Sequence, residues 1–275
     1  MAIKLLSKPN QHTLLITPFA VLLAAALGLV PACSGESPVL SIFAAAGAKP
    51  AIDAICQQFQ EQYGIRVEVT YSGGGEVLSQ MTLAKSGDLY IAPEQSFIEK
   101  AIEKQAIEPD TVVSVAYMIP VIAVPKGNPG NIHTLADLAR PGVKVAVTRP
   151  ETTLLGKYSP EIFAKAGLAE EIGKNIVTEA ARPDNLLTVL IMEQADAGIL
   201  WHFYAVQNAD KIENIFLPPE QITGIGEMQI AITRYCRDTE KAQNFIDFIT
   251  SAEGKAVFEE LGYFVNAEEI MEYQQ

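Results

Sequence analysis

Three consecutive glycines in "YSGGGEVLSQM", Tyr71 to Met81, lie between a strand-like run and a helix-like run. Glycine brings no side-chain chemistry, but it lets a ligand come close to main-chain N–H groups. At a helix start those groups lack intrahelical partners, and the macrodipole adds roughly half a positive charge. An anion is the natural guest there. The run is not a P-loop, since no Gly-Lys-Ser/Thr follows, nor is it a G-x-G-x-x-G fingerprint. A tight turn without a ligand is the commoner explanation of an isolated glycine run. Recurrence shifts the balance. "FAAAGAKPAI", with Ala46 and Gly47, is a second passage from a strand through small residues into a helix. "TRPETTLLGKY" is a third, entering a helix near Leu155 and Gly156, and "ARPDNLL" is a fourth, with Pro183 and Asp184 at its entrance. Arg149 and Arg182 stand beside these last two. Arginine suits a bidentate grip on carboxylate or phosphate, and equally a surface salt bridge. Tyr71, Ser72 and Tyr158 are further hydroxyl donors, or ordinary packing and capping groups.

Such entrances need an alternating framework behind them. Val39 to Phe43 reads as a buried strand, and Pro50 opens a helix that runs on a 3–4 spacing to Tyr63 and stops at Gly64. Arg66 to Tyr71 alternates as a strand, Val77 to Lys85 reads as a helix, Leu89 to Ala92 as a strand and Phe97 to Lys104 as a helix. The apolar run around Ile119 carries Pro120 and Pro125, which demote it to an edge strand or a connection. Beyond it come a short helix in "HTLADLARPG", strands at Val143 to Val147, Gly198 to Leu200 and Glu213 to Leu217, and helices at Leu155 to Ala166 and Leu186 to Gln194. Met228, Ile230 and Ile232 alternate, and two helices close the chain, Thr239 to Thr250 and Ala252 to Leu261. This is an α/β pattern in two sets, one before about Ile119 and one after. It implies parallel sheets flanked by helices, with ligands bound at the carboxyl ends of the strands.

The bulk numbers bound the partners. With 275 residues, half of them hydrophobic, the chain can bury a large core. A net charge of −13 argues against nucleic acid and acidic membrane surfaces. Lys4, Lys8 and the apolar run from Leu14 to Val30 form a secretory signal pattern, with an uncleaved anchor as the lesser alternative. Cys33 in "LVPACSGES" stands where a lipoprotein signal places its lipidated cysteine, although Pro31 is unusual there. Cleavage before Cys33 removes Lys4 and Lys8 and takes the net charge from −13 to −15. An exported compartment permits a disulfide between Cys56 and Cys236. The place of Cys56 beside Ile52, Ile55 and Phe59 favours a packed free thiol. No spacing suits a metal site, and no cofactor is called for. His133 and His202 read as a capping residue and as a packed or surface ring. With no G-x-S-x-G elbow and no H-E-x-x-H, an exported enzyme is the lesser reading.

The segment from Leu40 to Met81, with its "FAAAG" strand end and "GGG" turn, resembles the opening of periplasmic molybdate-binding proteins of ABC transporters. "DLYIAPEQSFIEKAIEKQAIEP" and "SAEGKAVFEELGYFV" resemble later segments of that family and of solute-binding proteins at large. The resemblance spans about residues 39 to 266. It implies a two-lobed type II periplasmic-binding-protein fold, each lobe a mostly parallel sheet flanked by helices, joined by two hinge crossings. The lobes fall at 39–119 plus 226–275 and at 120–225, behind a leader at 1–33. It further implies a monomeric receptor that captures an oxyanion, molybdate or tungstate, and delivers it to a permease and its ATPase while held to the membrane through lipid at Cys33. A sulfate-like anion or a small phosphorylated or carboxylated organic acid is the alternative ligand. Family contacts map onto Gly47, onto about Gly74, onto Leu155 beside Gly156, onto Pro183 or Asp184 and onto Trp201, and the neighbouring Ala46, Ser72 and Gly75 complete the candidate binding set. Two family serines are glycine here, at Gly47 and Gly74. Pro183 cannot donate an N–H, which leaves that contact to Asp184 or Asn185. Arg149 joins the set as a grip for a larger anion.

Overall fold

The computed structural model describes residues 39–273, so the leader and Cys33 lie outside the described residues. Among those described, no helix is long and apolar enough to cross a membrane. The strands are β1 (Val39–Ala45), β2 (Arg66–Ser72), β3 (Leu89–Ala92), β4 (Val113–Met118), β5 (Pro120–Pro125), β6 (Val145–Thr148), β7 (Ile176–Ala180), β8 (Ala197–Trp201), β9 (Ile212–Phe216) and β10 (Gly226–Ile232). The helices are α1 (Lys49–Tyr63), α2 (Gly74–Ala84), α3 (Gln95–Glu103), α4 (Leu154–Lys165), α5 (Ala169–Asn175), α6 (Pro183–Ile191), α7 (Phe203–Gln207), α8 (Thr239–Ile249) and α9 (Ala252–Glu260).

Two five-stranded sheets share one pattern, β2-β1-β3-β10-β4 and β7-β6-β8-β5-β9. In the first, β1, β2 and β3 pair in parallel, while β10 runs antiparallel to both β3 and β4. In the second, β6, β7 and β8 pair in parallel, while β5 runs antiparallel to both β8 and β9. Each sheet therefore has four strands pointing one way and one reversed. The reversed strands β5 and β10 are those the chain enters after leaving the other sheet, once through Ile119 and once through residues 217–225.

Burial follows position. The central strands β3, β5, β6 and β8 are buried throughout, as strands covered on both faces must be. The edge strands β2 and β7 alternate between half-buried and exposed. Helices α1, α2, α3, α8 and α9 cover the first sheet, and α4, α6 and α7 the second, with α5 packed on α4. Helix α1 buries Ala51, Ile52, Ile55, Cys56 and Phe59, and Gly64 ends it in the left-handed region at φ 66°.

The structure corrects several readings. The proline-bearing run is not an edge or a connection: β5 lies inside the second sheet between β8 and β9. Pro120 and Pro125 sit at its first and last positions, where a missing N–H does least harm. Helix α2 begins at Gly74, three residues before the apolar spacing predicts, so the glycines are its first turn. The "HTLADLARPG" helix is a single 3-10 turn, Leu135–Ala139, with His133 Nε2 beside Asn131 Oδ1 at 2.9 Å. Helices α5 and α7 and strand β7 escape the sequence reading. Cys56 and Cys236 are free thiols, and burial pushes Cys56 up to about 12.

Candidate functional site

The carboxyl ends of β1, β2, β3, β6, β7 and β8 open on one cavity of about 300 Å³ between the lobes. Its walls are the helix entrances that follow those strands. The first lobe contributes Ala45 to Ala48, Gly73 and Gly74, and Pro93 with Glu94. The second contributes Thr152 and Thr153, then Arg182, Pro183 and Asp184, then Trp201. The floor is apolar and aromatic, with Met118, Trp201, Phe203, Tyr204, Met228 and Tyr263.

The first-lobe entrances are bare. Gly74 and Gly75 N–H make no hydrogen bond among the described residues, while Glu76 reaches back to Ser72 Oγ at 2.7 Å and weakly to Gly73 N–H at 3.4 Å. Gly74 is required by close packing, because a Cβ there would meet Phe97 and Pro93 at 2.9 Å. Gly47 is not so confined. A Cβ there would lie 3.6 Å from Tyr204 Oη, an ordinary contact that also shows how near the second lobe comes.

The second-lobe entrances carry side chains that engage one another. Thr153 caps α4 by accepting Gly156 N–H at 2.8 Å, and its hydroxyl lies 2.8 Å from that of Thr148. Thr152 Oγ1 donates to Ala181 O at 2.8 Å. Arg182 forks onto Asp184, with bonds of 3.0 and 2.8 Å, and Asp184 holds the guanidinium in its charged form. In the first turn of α4, Leu154 N–H donates to Glu94 Oε2 at 2.9 Å, across the cleft. Leu155 N–H, next along, has no partner among the described residues. Glu94 is only 5% exposed. Burial raises its carboxyl to about 7, against the opposing pull of Leu154 N–H, Lys157 and Lys100.

Of the residues singled out from the sequence, Ala46, Gly47, Gly74, Asp184 and Trp201 line the cavity. Leu155 and Gly156 lie just behind the lining, buried, with the Leu155 amide at the α4 entrance. Gly156 lets α4 sit tight on its strand, because a Cβ there would meet Arg149 O at 2.3 Å. Ser72 and Gly75 do not line the cavity. Ser72 is taken up by Glu76, and Gly75 lies beyond the lining on α2. Arg149 is exposed outside the cleft, with its Nε donating to Glu179 O at 3.2 Å, so it grips nothing in the cavity. Asp184 is the partner of Arg182 before it is a partner of any solute. Tyr71 binds Asp53, and Tyr158 donates to Ile225 O, so both serve the scaffold. His202 is a packed ring. Its Nδ1 accepts Ile119 N–H at 3.2 Å at the first crossing, and burial lowers it to about 4.

Glu94, Tyr204 and Tyr263 were missed. "DLYIAPEQS" is a fifth strand-to-helix passage, but a glutamate at a helix start reads as a solvated cap. Its burial comes from contact with a helix 60 residues away. Tyr204 and Tyr263 lie in apolar runs indistinguishable from core, yet the buried Tyr263 hydroxyl has no hydrogen-bond partner among the described residues.

The family described as bacterial extracellular solute-binding protein matches residues 40–264. The molybdate-binding protein ModA of Mycobacterium tuberculosis is 27% identical over 249 residues, covering 86% of this chain and 92% of its own. Among solved structures, the periplasmic molybdate-binding protein of Azotobacter vinelandii superposes with a TM-score of 0.70 at 18% identity, over 82% of this chain and 99% of the other. PEB3 of Campylobacter jejuni, solved with L-phospholactate, gives a TM-score of 0.72 at 18% identity, over 82% and 100%.

Proposed function

The chain belongs to the bacterial extracellular solute-binding proteins, and from that premise we propose that it is the receptor of an ABC transporter for an oxyanion, molybdate or tungstate. The observation that carries this reading is a pair of unpartnered amides, Gly74 N–H on the cavity wall in one lobe and Leu155 N–H just behind the wall at the α4 entrance of the other. Oriented N–H groups in a site shielded from water stabilise an anion although the chain as a whole is strongly negative. Closure brings the two sets of donors onto one ligand, and the permease with its ATPase receives it. The lobes divide at 39–119 plus 226–275 and 120–225, and the hinge lies at Ile119 and in 217–225. The leader is removed before Cys33, which carries the lipid anchor, and the receptor works as a monomer. Molybdate-binding relatives support the ligand.

A second reading has its own observation. A cavity of about 300 Å³ floored by Trp201, Phe203, Tyr204 and Tyr263 exceeds what a four-oxygen anion fills. A phosphorylated or carboxylated organic acid would use that floor, and PEB3, of the same fold, is solved with L-phospholactate bound. A thermal-shift panel of molybdate, tungstate, sulfate, phosphate and L-phospholactate separates the two. A ligand at about 100 times its dissociation constant adds roughly 2.7 kcal/mol of stability. Stabilisation by molybdate and tungstate supports the first reading, and stabilisation by the organic acid alone replaces it with the second.

A further inference from the structure

We propose that Glu94 is the specificity-determining residue of the cleft: its carboxylate stands in for a ligand on the α4 entrance, so that a fully deprotonated anion binds there only with uptake of one proton by Glu94. The inference rests on the anion-receptor reading above and adds to it a rule for when the anion is accepted. Three observations carry it. Glu94 follows β3 in the first lobe, yet its Oε2 accepts the N–H of Leu154 in the second at 2.9 Å. That amide is the first of the α4 turn and adjoins the unpartnered N–H of Leu155. Glu94 also lines the cavity itself while remaining 5% exposed. The helix entrance is thus occupied from within by an anionic oxygen, the same kind of acceptor a solute oxyanion would offer.

The neighbours decide what happens when a solute arrives. Lys100 on α3 and Lys157 on α4 line a smaller neighbouring pocket with Glu151, which Glu94 also borders, and favour the carboxylate's charge. Tyr158 on α4 and Tyr204 on α7 face Glu94 as neutral phenols, both raised chiefly by burial. Arg182 is already matched by Asp184 at the α6 entrance. No cation inside the cavity is therefore left over to offset both Glu94 and an incoming dianion among the described residues. The carboxyl takes a proton from solvent, releases the Leu154 amide to the solute and donates its own O–H to a solute oxygen. Burial already brings Glu94 close to neutral pH, so the cost of that protonation is small. Anions that carry their own proton bind without this step, which sets a preference among anions by protonation state.

The test is calorimetric titration of the full-length protein with sodium molybdate from pH 6 to pH 9, in two buffers of different ionisation heat. Sulfate and L-phospholactate form parallel arms. The wild-type affinity is expected to fall up to tenfold per pH unit above about 7, with one proton taken up per anion. Glu94→Gln is expected to bind with no proton uptake and a flat profile, about tenfold tighter than wild type at pH 8. Lys157→Met, in the neighbouring pocket, moves the break in the wild-type profile to higher pH because a cation that favours the carboxylate is gone. A flat wild-type profile, an unchanged slope in Glu94→Gln, or an unmoved break in Lys157→Met overturns the role of Glu94 and leaves the receptor reading standing. Absence of binding by every anion to every variant overturns both.

Discussion

The two lobes share a strand order, but they meet the cavity in opposite ways. The first-lobe entrances at Gly47 and Gly74 offer backbone N–H groups with no partner among the described residues. The second-lobe entrances offer threonine, arginine and aspartate, and nearly all of those groups are already bound to one another. The donors of one lobe are free and those of the other are mostly committed, one of them to a carboxylate sent across by the first lobe. A solute can dock on the first lobe without breaking anything. Engaging the second requires an exchange of partners, and that exchange is where selectivity can act. The same topology therefore yields a docking surface and a closing surface.

Substitutions that confuse the two surfaces should break this contrast, and their expected effects differ in size. Gly156→Val, in the committed lobe, forces a side chain into Arg149 O and Thr148 O. It should destabilise the protein by about 4 kcal/mol in denaturant unfolding. Glu94→Gln should act through pH. The wild-type carboxyl titrates near 4.5 unfolded and near 7 folded, so the folded state holds the extra proton between those values. Stability then falls as pH climbs through that window and is flat above it. The variant lacks this decline, so at pH 8 it should exceed wild type by on the order of 3 kcal/mol, and at pH 4 by little.

Three further changes sharpen the contrast at smaller scale. Gly74→Ser restores a hydroxyl where Phe97 and Pro93 leave no room, and should cost about 2 kcal/mol. Thr153→Ala removes the α4 cap and should cost about 1 kcal/mol. Gly47→Ser introduces a hydroxyl where the space is open. Its stability should stay within about 0.5 kcal/mol of wild type, while molybdate binds about tenfold tighter through one charge-assisted bond. The paired glycine substitutions are informative together, because sequence alone treats the two positions alike.

Much of the framework was readable from local pattern. The passages at Gly47, Gly74 and Leu155 could be placed because each joins a strand-like run to a helix-like run, and both signals are short-range; at Asp184 only the helix entrance was legible, since β7 before it was not read as a strand. The proline-bounded β5 was misread because its interior place depends on β8 and β9, which lie far along the chain. Arg149 and Arg182 looked alike in sequence. One turns outward to Glu179 and the other faces the cavity, a difference set by how β6 and β7 end. Glu94 was invisible for the same reason: what makes it buried is a helix in the other lobe. Local chemistry was legible, and the choice between free and committed donors was not, because that choice is made by tertiary contact.

The most direct measurement is an amide-resolved NMR titration of the protein with molybdate and with L-phospholactate. Convergent capture predicts that the N–H signals of Gly47, Gly74 and Leu155 move downfield together with one midpoint for whichever anion binds. Binding that leaves these three amides unmoved, or that shifts only residues outside the cleft, would contradict it.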